Sequence, residues 1–217
     1  MLQAVDVKKS YDTVDVLRGV TVEIGDGEVV SIVGASGAGK STLLHILGTL
    51  DLPDSGDVLF DGKSVRKMKS AELARFRNKN LGFIFQFHNL LPEFTALENV
   101  MLPGLLAGKN EKQVKERGID LLTMLNLSHR PHHKPSEMSG GEQQRTSVSR
   151  ALINSPRIVF ADEPSGNLDS KNARELHEIF FRLRDEMQQT FVIVTHNDEL
   201  AAMADRKIVM RDGILAV

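Results

Sequence analysis

The chain has 217 residues, enough for one domain with a buried core, and its 41% hydrophobic and 26% charged residues are ordinary for a globular protein. A net charge of -2 gives no basic face for nucleic acid, and the absence of cysteine excludes disulfides and thiolate metal sites. The start, MLQAVDVKKSYDTVDV, lacks the basic start and apolar stretch of a signal peptide, and no apolar run reaches membrane-spanning length. Work at a membrane would therefore need another chain to cross it.

Residues 1–33 read as strands, rich in Val and Ile and punctuated by Asp-Gly turn signals. STLLHILGTL carries apolar residues at 43, 44, 46, 47 and 50, which is helical spacing. DLPDSGDVLFDGKSV reads as a loop with short strands, and LGFIFQF as a short apolar strand. From about residue 88 to 152 the periodicity is helical, with EKQVKERGIDLLTMLNL as one helix and GGEQQRTSVSRALINS as another, stopped before Pro156. RIVFADE is continuously apolar before its acids, as a strand buried on both faces should be. NARELHEIFFRLRDEM follows as an amphipathic helix, TFVIVTH as a further buried strand, and RKIVMRDGILAV as a hairpin around Asp212-Gly213. Strands alternating with helices imply an α/β fold with a mostly parallel sheet, and the central helical stretch reads as an insertion.

Gly34-Ala35-Ser36-Gly37-Ala38-Gly39-Lys40-Ser41 fits the P-loop pattern G-x-x-x-x-G-K-[ST] in full, after the strand EVVSIV and at the start of a helix. Glycines let backbone N–H groups turn around phosphate oxygens, and the helix N-terminus adds partial positive charge. Lys40 can reach the β- and γ-phosphates, and Ser41 can ligate Mg²⁺. Asp162 and Glu163 end the buried run IVFADE, where one acid suits Mg²⁺ and its neighbour can take a proton from attacking water. His196 ends TFVIVTH. Ligands of open α/β sheets collect at the carboxyl ends of strands, so three strand ends converge on one place.

Gln86 ends LGFIF, where a glutamine can touch Mg²⁺ or orient water. Tyr11, the sole tyrosine, either stacks on a nucleobase or packs on its strand. SEMSGGEQQR, residues 136–145, reads as a second helix N-terminus suited to an anion. His132 and His133 lie in a polar loop without ligand spacing.

In this order the P-loop, Gln86, SGGEQQR, ADEP, NLD and His196 resemble the ATP-binding cassette (ABC) ATPases over essentially the whole chain. SGGEQ is the specific element, since kinases and GTPases lack it. A guanine-specific NKxD is absent too: Asn78-Lys79 is followed by Asn80-Leu81. The resemblance implies a P-loop NTPase (RecA-like) core with a mostly parallel sheet, an N-terminal antiparallel β subdomain and an inserted helical subdomain. The whole chain, 1–217, would be one cassette. Residues 1–87 and 153–217 would form the nucleotide-binding core and 88–152 the helical unit.

It further implies ATP and Mg²⁺ as cofactors. Tyr11 would stack on adenine and Gly34 to Thr42 would hold phosphates. Ser41, Gln86 and Asp162 would serve Mg²⁺, with Lys40, Gln86, Glu163 (the base) and His196 (the switch) catalytic. Ser139, Gly140 and Gly141, with Glu142, would form the signature, facing the P-loop of a second subunit. Asn167 to Asp169 would be the D-loop. Three departures, Met138 for Leu, Ser165 for Thr and NLD for ALD, remove no functional group.

FQFHNLLPEFTALENVMLP and ADEPSGNLDSKN look like the lipoprotein-releasing branch of the family, whose macrolide-exporter and cell-division relatives share much of the pattern. That likeness implies a homodimer on the cytoplasmic face of the bacterial inner membrane, bound to integral membrane permease subunits, with no nucleic-acid partner. His88 to Phe94 is either a docking surface for a permease coupling helix or core of the helical unit. A soluble, non-transport cassette is the competing class. Such proteins usually carry two cassettes or long inserted arms.

Overall fold

The computed structural model describes residues 1–216; Val217, the end of the expected hairpin, lies outside the described residues. Two strands open the chain, β1 (Leu2–Tyr11) and β2 (Val14–Ile24), paired antiparallel around Asp12-Thr13. Their alternation sends Leu2, Ala4, Val7, Leu17, Val20, Val22 and Ile24 inward. Asp6, at φ 47°, marks a bulge where the register shifts between Ala4 and Val7. After β3 (Val29–Val33) and α1 (Lys40–Leu47), β4 (Ser55–Phe60) returns to pair antiparallel with β1, and β5 (Lys63–Ser64) adds a short edge. Asp61 and Gly62 both have positive φ, which an Asp-Gly hairpin turn requires.

The second sheet has the order β10-β9-β3-β8-β7-β6. It contains β6 (Leu81–Phe85), β7 (Ile158–Asp162), β8 (Thr190–Val194), β9 (Arg206–Arg211) and β10 (Ile214–Ala216). All its pairings are parallel except the final β9–β10 hairpin. Both faces are covered, and successive residues enter different cores. Val159, Ala161, Phe191 and Ile193 join one apolar cluster; Ile158, Phe160, Val192 and Val194 join the other. The second cluster includes α1 and the antiparallel sheet.

The first cluster includes α3 (Ala96–Leu106), α4 (Glu111–Met124), α5 (Gly140–Leu152) and α6 (Ser170–Met187). The three central helices thus share a core with α6 and one sheet face. Helicity begins at Ala96, later than residue 88: Thr95 and Glu98 form a capping box, and His88 and Asn89 have positive φ.

Two helices go beyond what the sequence pattern announces. α2 (Ser70–Asn80) has no fully buried residue and packs on the core only through the half-buried Leu73 and Phe76, and α7 (Asp198–Met203) is six residues long. No helix among the described residues is long and apolar enough to cross a membrane.

Candidate functional site

The loop after β3 is shaped by glycines that no other residue can replace cheaply. At Gly34 (φ 151°) a Cβ would lie 2.2 Å from the Met210 carbonyl oxygen, and at Gly39 (φ 94°) 2.8 Å from that of Val16. Gly39 is the N-cap of α1, and no side chain caps the first turn, leaving its amide groups for an anion. Lys40 folds over the loop, its Nζ donating to the carbonyls of Gly34 and Ala35 at 2.9 Å each. A cavity of about 370 Å³ opens here, lined by Val16, Ser36, Gly37, Gly39, Lys40, Ser41, Thr42 and Glu163.

Ser41 Oγ donates to Asp162 Oδ1 at 3.0 Å, joining the start of α1 to the end of β7. Burial raises the Asp162 pKa, and the Ser41 hydrogen bond opposes it. His196 Nδ1 lies 2.8 Å from Glu163 Oε2, and the His196 backbone N–H donates to the same oxygen at 3.2 Å. Glu163 has φ 46°, and its own N–H donates to the Val194 carbonyl at 2.9 Å. The P-loop, Asp162-Glu163 and His196 therefore meet, as their strand ends imply.

Other residues stand differently. Gln86 Nε2 donates to Asn167 Oδ1 at 3.1 Å, and Asn167 Nδ2 returns a bond to the Gln86 carbonyl at 3.2 Å. Its amide is thus engaged by Asn167. Tyr11 is half-exposed on β1, opposite Val14. Its hydroxyl donates to Asp51 Oδ2 at 2.6 Å, and Lys9 Nζ sits 5.2 Å from its ring centroid.

Ser139 is the N-cap of α5, in a capping box with Glu142. Ser139 and Gly140 are exposed and line no part of the P-loop cavity. Glu142 Oε2 accepts from the Ser139 N–H (2.8 Å) and hydroxyl (3.0 Å), and Oε1 accepts from Arg130 Nε at 2.8 Å. Burial pushes this carboxyl up, but those hydrogen bonds outweigh it and bring its pKa down to about 2. At Gly141 a Cβ would lie 2.2 Å from Asn172 Oδ1.

Sequence reasoning assigned nothing to Gln144, which is fully buried. Its Nε2 donates to the Pro164 carbonyl at 2.7 Å, tying α5 to the loop after Glu163. Only its place in the GGEQQR run hinted at this.

A phosphate-sized loop at one strand end, with acids and a histidine brought up by its neighbours, defines a P-loop nucleoside triphosphatase. The family model described as ABC transporter matches residues 17–166, more than two thirds of the chain. The chain belongs to that family, and it is an ATPase.

A protein of Cytophaga hutchinsonii named lipoprotein-releasing system ATP-binding protein LolD is 60% identical over 99% of this chain and 98% of its own length. A protein of the same name from Bacteroides thetaiotaomicron is 55% identical over 99% of each. Among solved structures, the ATP-binding cassette MJ0796, dimeric in a post-hydrolysis state with ADP and Pi, matches with a TM-score of 0.92. It is 37% identical, with 100% of this chain and 97% of that one covered.

Proposed function

We propose that this chain is the ATP-hydrolysing subunit of a complex that releases lipoproteins from the bacterial inner membrane. It works there as a homodimer on the cytoplasmic face, bound to integral membrane permease subunits. The observation that carries the reading is 55–60% identity along essentially the whole chain to proteins named for that task. Residues 1–87 and 153–217 act as the nucleotide core and 88–152 as the helical unit. The docking surface is the run after β6, where Phe87 is 74% exposed and Leu91 and Phe94 are also exposed. Phe85, which ends β6, and Asn89 of this run line a groove of about 450 Å³ together with Arg77 and Arg150.

ATP is held by the amides of Gly34 to Thr42 and by Lys40, which exchanges its two carbonyl partners for phosphate oxygens. Tyr11, pinned by Asp51, offers its ring to adenine. Ser41 Oγ and Asp162 Oδ1 are hard oxygen donors beside the cavity and fit Mg²⁺. Held there, Mg²⁺ would supply neutralisation of phosphate charge. Gln86 joins this group only by releasing Asn167.

Glu163 takes the proton of the attacking water, and His196 contacts the γ-phosphate and holds the Glu163 carboxylate in place. Ser139 and the first amides of α5 address the γ-phosphate held by the other subunit, where charge develops. Glu142 serves this by fixing the α5 turn, its own carboxylate being fully engaged.

Glu163→Gln tests the base. ATP binding should persist and the dimer should accumulate, while turnover falls by about 10²–10⁴-fold. Normal turnover would remove Glu163 from that role. Purification with the endogenous membrane partner tests the cargo: a lipoprotein-releasing permease pair is expected. A single large permease with a periplasmic domain, or a cell-division partner, would overturn it.

A further inference from the structure

His177 is buried on the inner face of α6, 1% exposed, in line with Ala173, Leu176 and Phe180. Its Nε2 lies 3.0 Å from the hydroxyl oxygen of Ser165, which is itself buried. Its Nδ1 has no hydrogen-bonding partner among the described residues. A buried N–H without an acceptor is rarer and costlier than a buried lone pair without a donor, so the ring proton belongs on Nε2, donating to Ser165 Oγ. Burial lowers the ring's pKa against a small opposing pull from Glu199 of α7, which favours the neutral form. Packing alone does not call for histidine here. A leucine fills such a place without stranding a nitrogen.

The distinctive feature is where Ser165 lies. It is two residues from Glu163 and two from Asn167, in the segment joining β7 to α6. That segment carries a non-glycine residue in the left-handed region, Glu163 at φ 46°, a conformation that persists only when its surroundings enforce it. The Gly166 N–H donates to the Glu163 carbonyl at 3.0 Å and the Leu168 N–H to the Ser165 carbonyl at 3.1 Å. Gln144 holds the Pro164 carbonyl from α5. His177 holds the next residue from α6.

We propose that His177 is a positioning residue for ATP hydrolysis. Through Ser165 it fixes the segment that sets the Glu163 carboxylate and the Asn167 amide, touching neither nucleotide nor water itself. The proposal rests on the reading of Glu163 as the base.

The test is His177→Leu in the full-length chain, assayed for steady-state ATPase and thermal stability. One lost positioning hydrogen bond should lower kcat about fivefold. KM for ATP should stay within about twofold, because the loop residues Ser36 to Thr42 are not touched. The melting temperature should change little, since the stranded nitrogen is gone while the Ser165 hydroxyl loses its partner. A merely structural histidine would move stability and rate together. Ser165→Ala should give the same loss of kcat, Ser165→Thr should retain the rate, and the double variant should lose no more than either single.

A wild-type kcat in His177→Leu, or additive losses in the double variant, would overturn the proposal. If His177→Leu does not fold, Ser165→Ala decides alone, and a wild-type rate there overturns it. Glu163→Gln measured alongside separates the two readings. Normal turnover in that variant sinks the base, whereas a dead Glu163→Gln beside an unimpaired His177→Leu sinks only this inference.

Discussion

Helices α1 and α5 both present first-turn amide groups, yet their first turns are closed in opposite ways. α1 has a left-handed glycine as its N-cap, no side-chain cap and a lysine as its first residue. Its turn is left open at the amides, which the proposed function fills with an anion. α5 has a serine N-cap and brings its own acid, Glu142, back onto that serine. It is a finished helix, with only the amides of Gly140 and Gly141 left to give. The difference separates two jobs that look alike in sequence. Under the proposed function, the first site holds phosphate by itself, and the second is a stiff probe presented to phosphate held elsewhere.

Gly140→Asp should break the comparison most visibly. Gly140 has no positive φ, and a Cβ there would sit 3.8 Å from Leu168 Cδ2, so the backbone accepts a side chain. An aspartate even suits the start of a helix. ATP binding by the monomer should survive, while a carboxylate facing another subunit's γ-phosphate suppresses dimerisation and lowers turnover about 100-fold. Full ATPase activity would show that α5 has no such task.

At the other helix, Gly39→Ala should act on binding itself. The residue sits at φ 94° with 2.8 Å between a Cβ and the Val16 carbonyl oxygen, so the loop must shift. ATP affinity should drop about tenfold in equilibrium titrations, and an unchanged Kd would mean the loop tolerates what its geometry forbids.

The smallest effect belongs to Glu142→Gln, which keeps a capping-box side chain but discards its charge. Folding stability near neutral pH should fall by about 1 kcal/mol. Glu142 is depressed to about 2 in the folded chain from the ordinary 4.5, so its contribution is present above the unfolded value and lost as pH falls from about 5 towards 2. The stability gap between wild type and variant, followed by thermal melts, should shrink over that range. A gap independent of pH would remove the charge from the explanation.

What was legible in the sequence depended on how local the chemistry is. The P-loop, Asp162-Glu163 and His196 each sit at the end of an apolar run, and parallel strands bring their ends together without further information. α2 escaped because two half-buried residues, Leu73 and Phe76, make too narrow a stripe, and α7 because six residues span under two turns. The irregular start of the central stretch was hidden, although Thr95-Ala96-Leu97-Glu98 announces its own cap. Contacts between distant side chains were not readable at all. Gln86 with Asn167 and Gln144 with the Pro164 carbonyl depend on how α5 and the segment joining β7 to α6 settle against the sheet. His177 read simply as one more position on the inner face of an amphipathic helix, since helical spacing says nothing of the Ser165 hydroxyl opposite.

Asp162 and Glu163 are neighbours in the chain, and one backbone angle gives them separate assignments. Strand parity sends Asp162 to the α1 side with Ile158 and Phe160. The left-handed turn at Glu163 withdraws the next carboxylate from the strand and hands it to His196. Reach matters as much as direction, because the two side chains differ by one methylene. Exchanging the pair, Asp162→Glu together with Glu163→Asp, would preserve composition, charge and motif-like appearance. It would also leave the first carboxylate too long for Ser41 and the second too short for its imidazole.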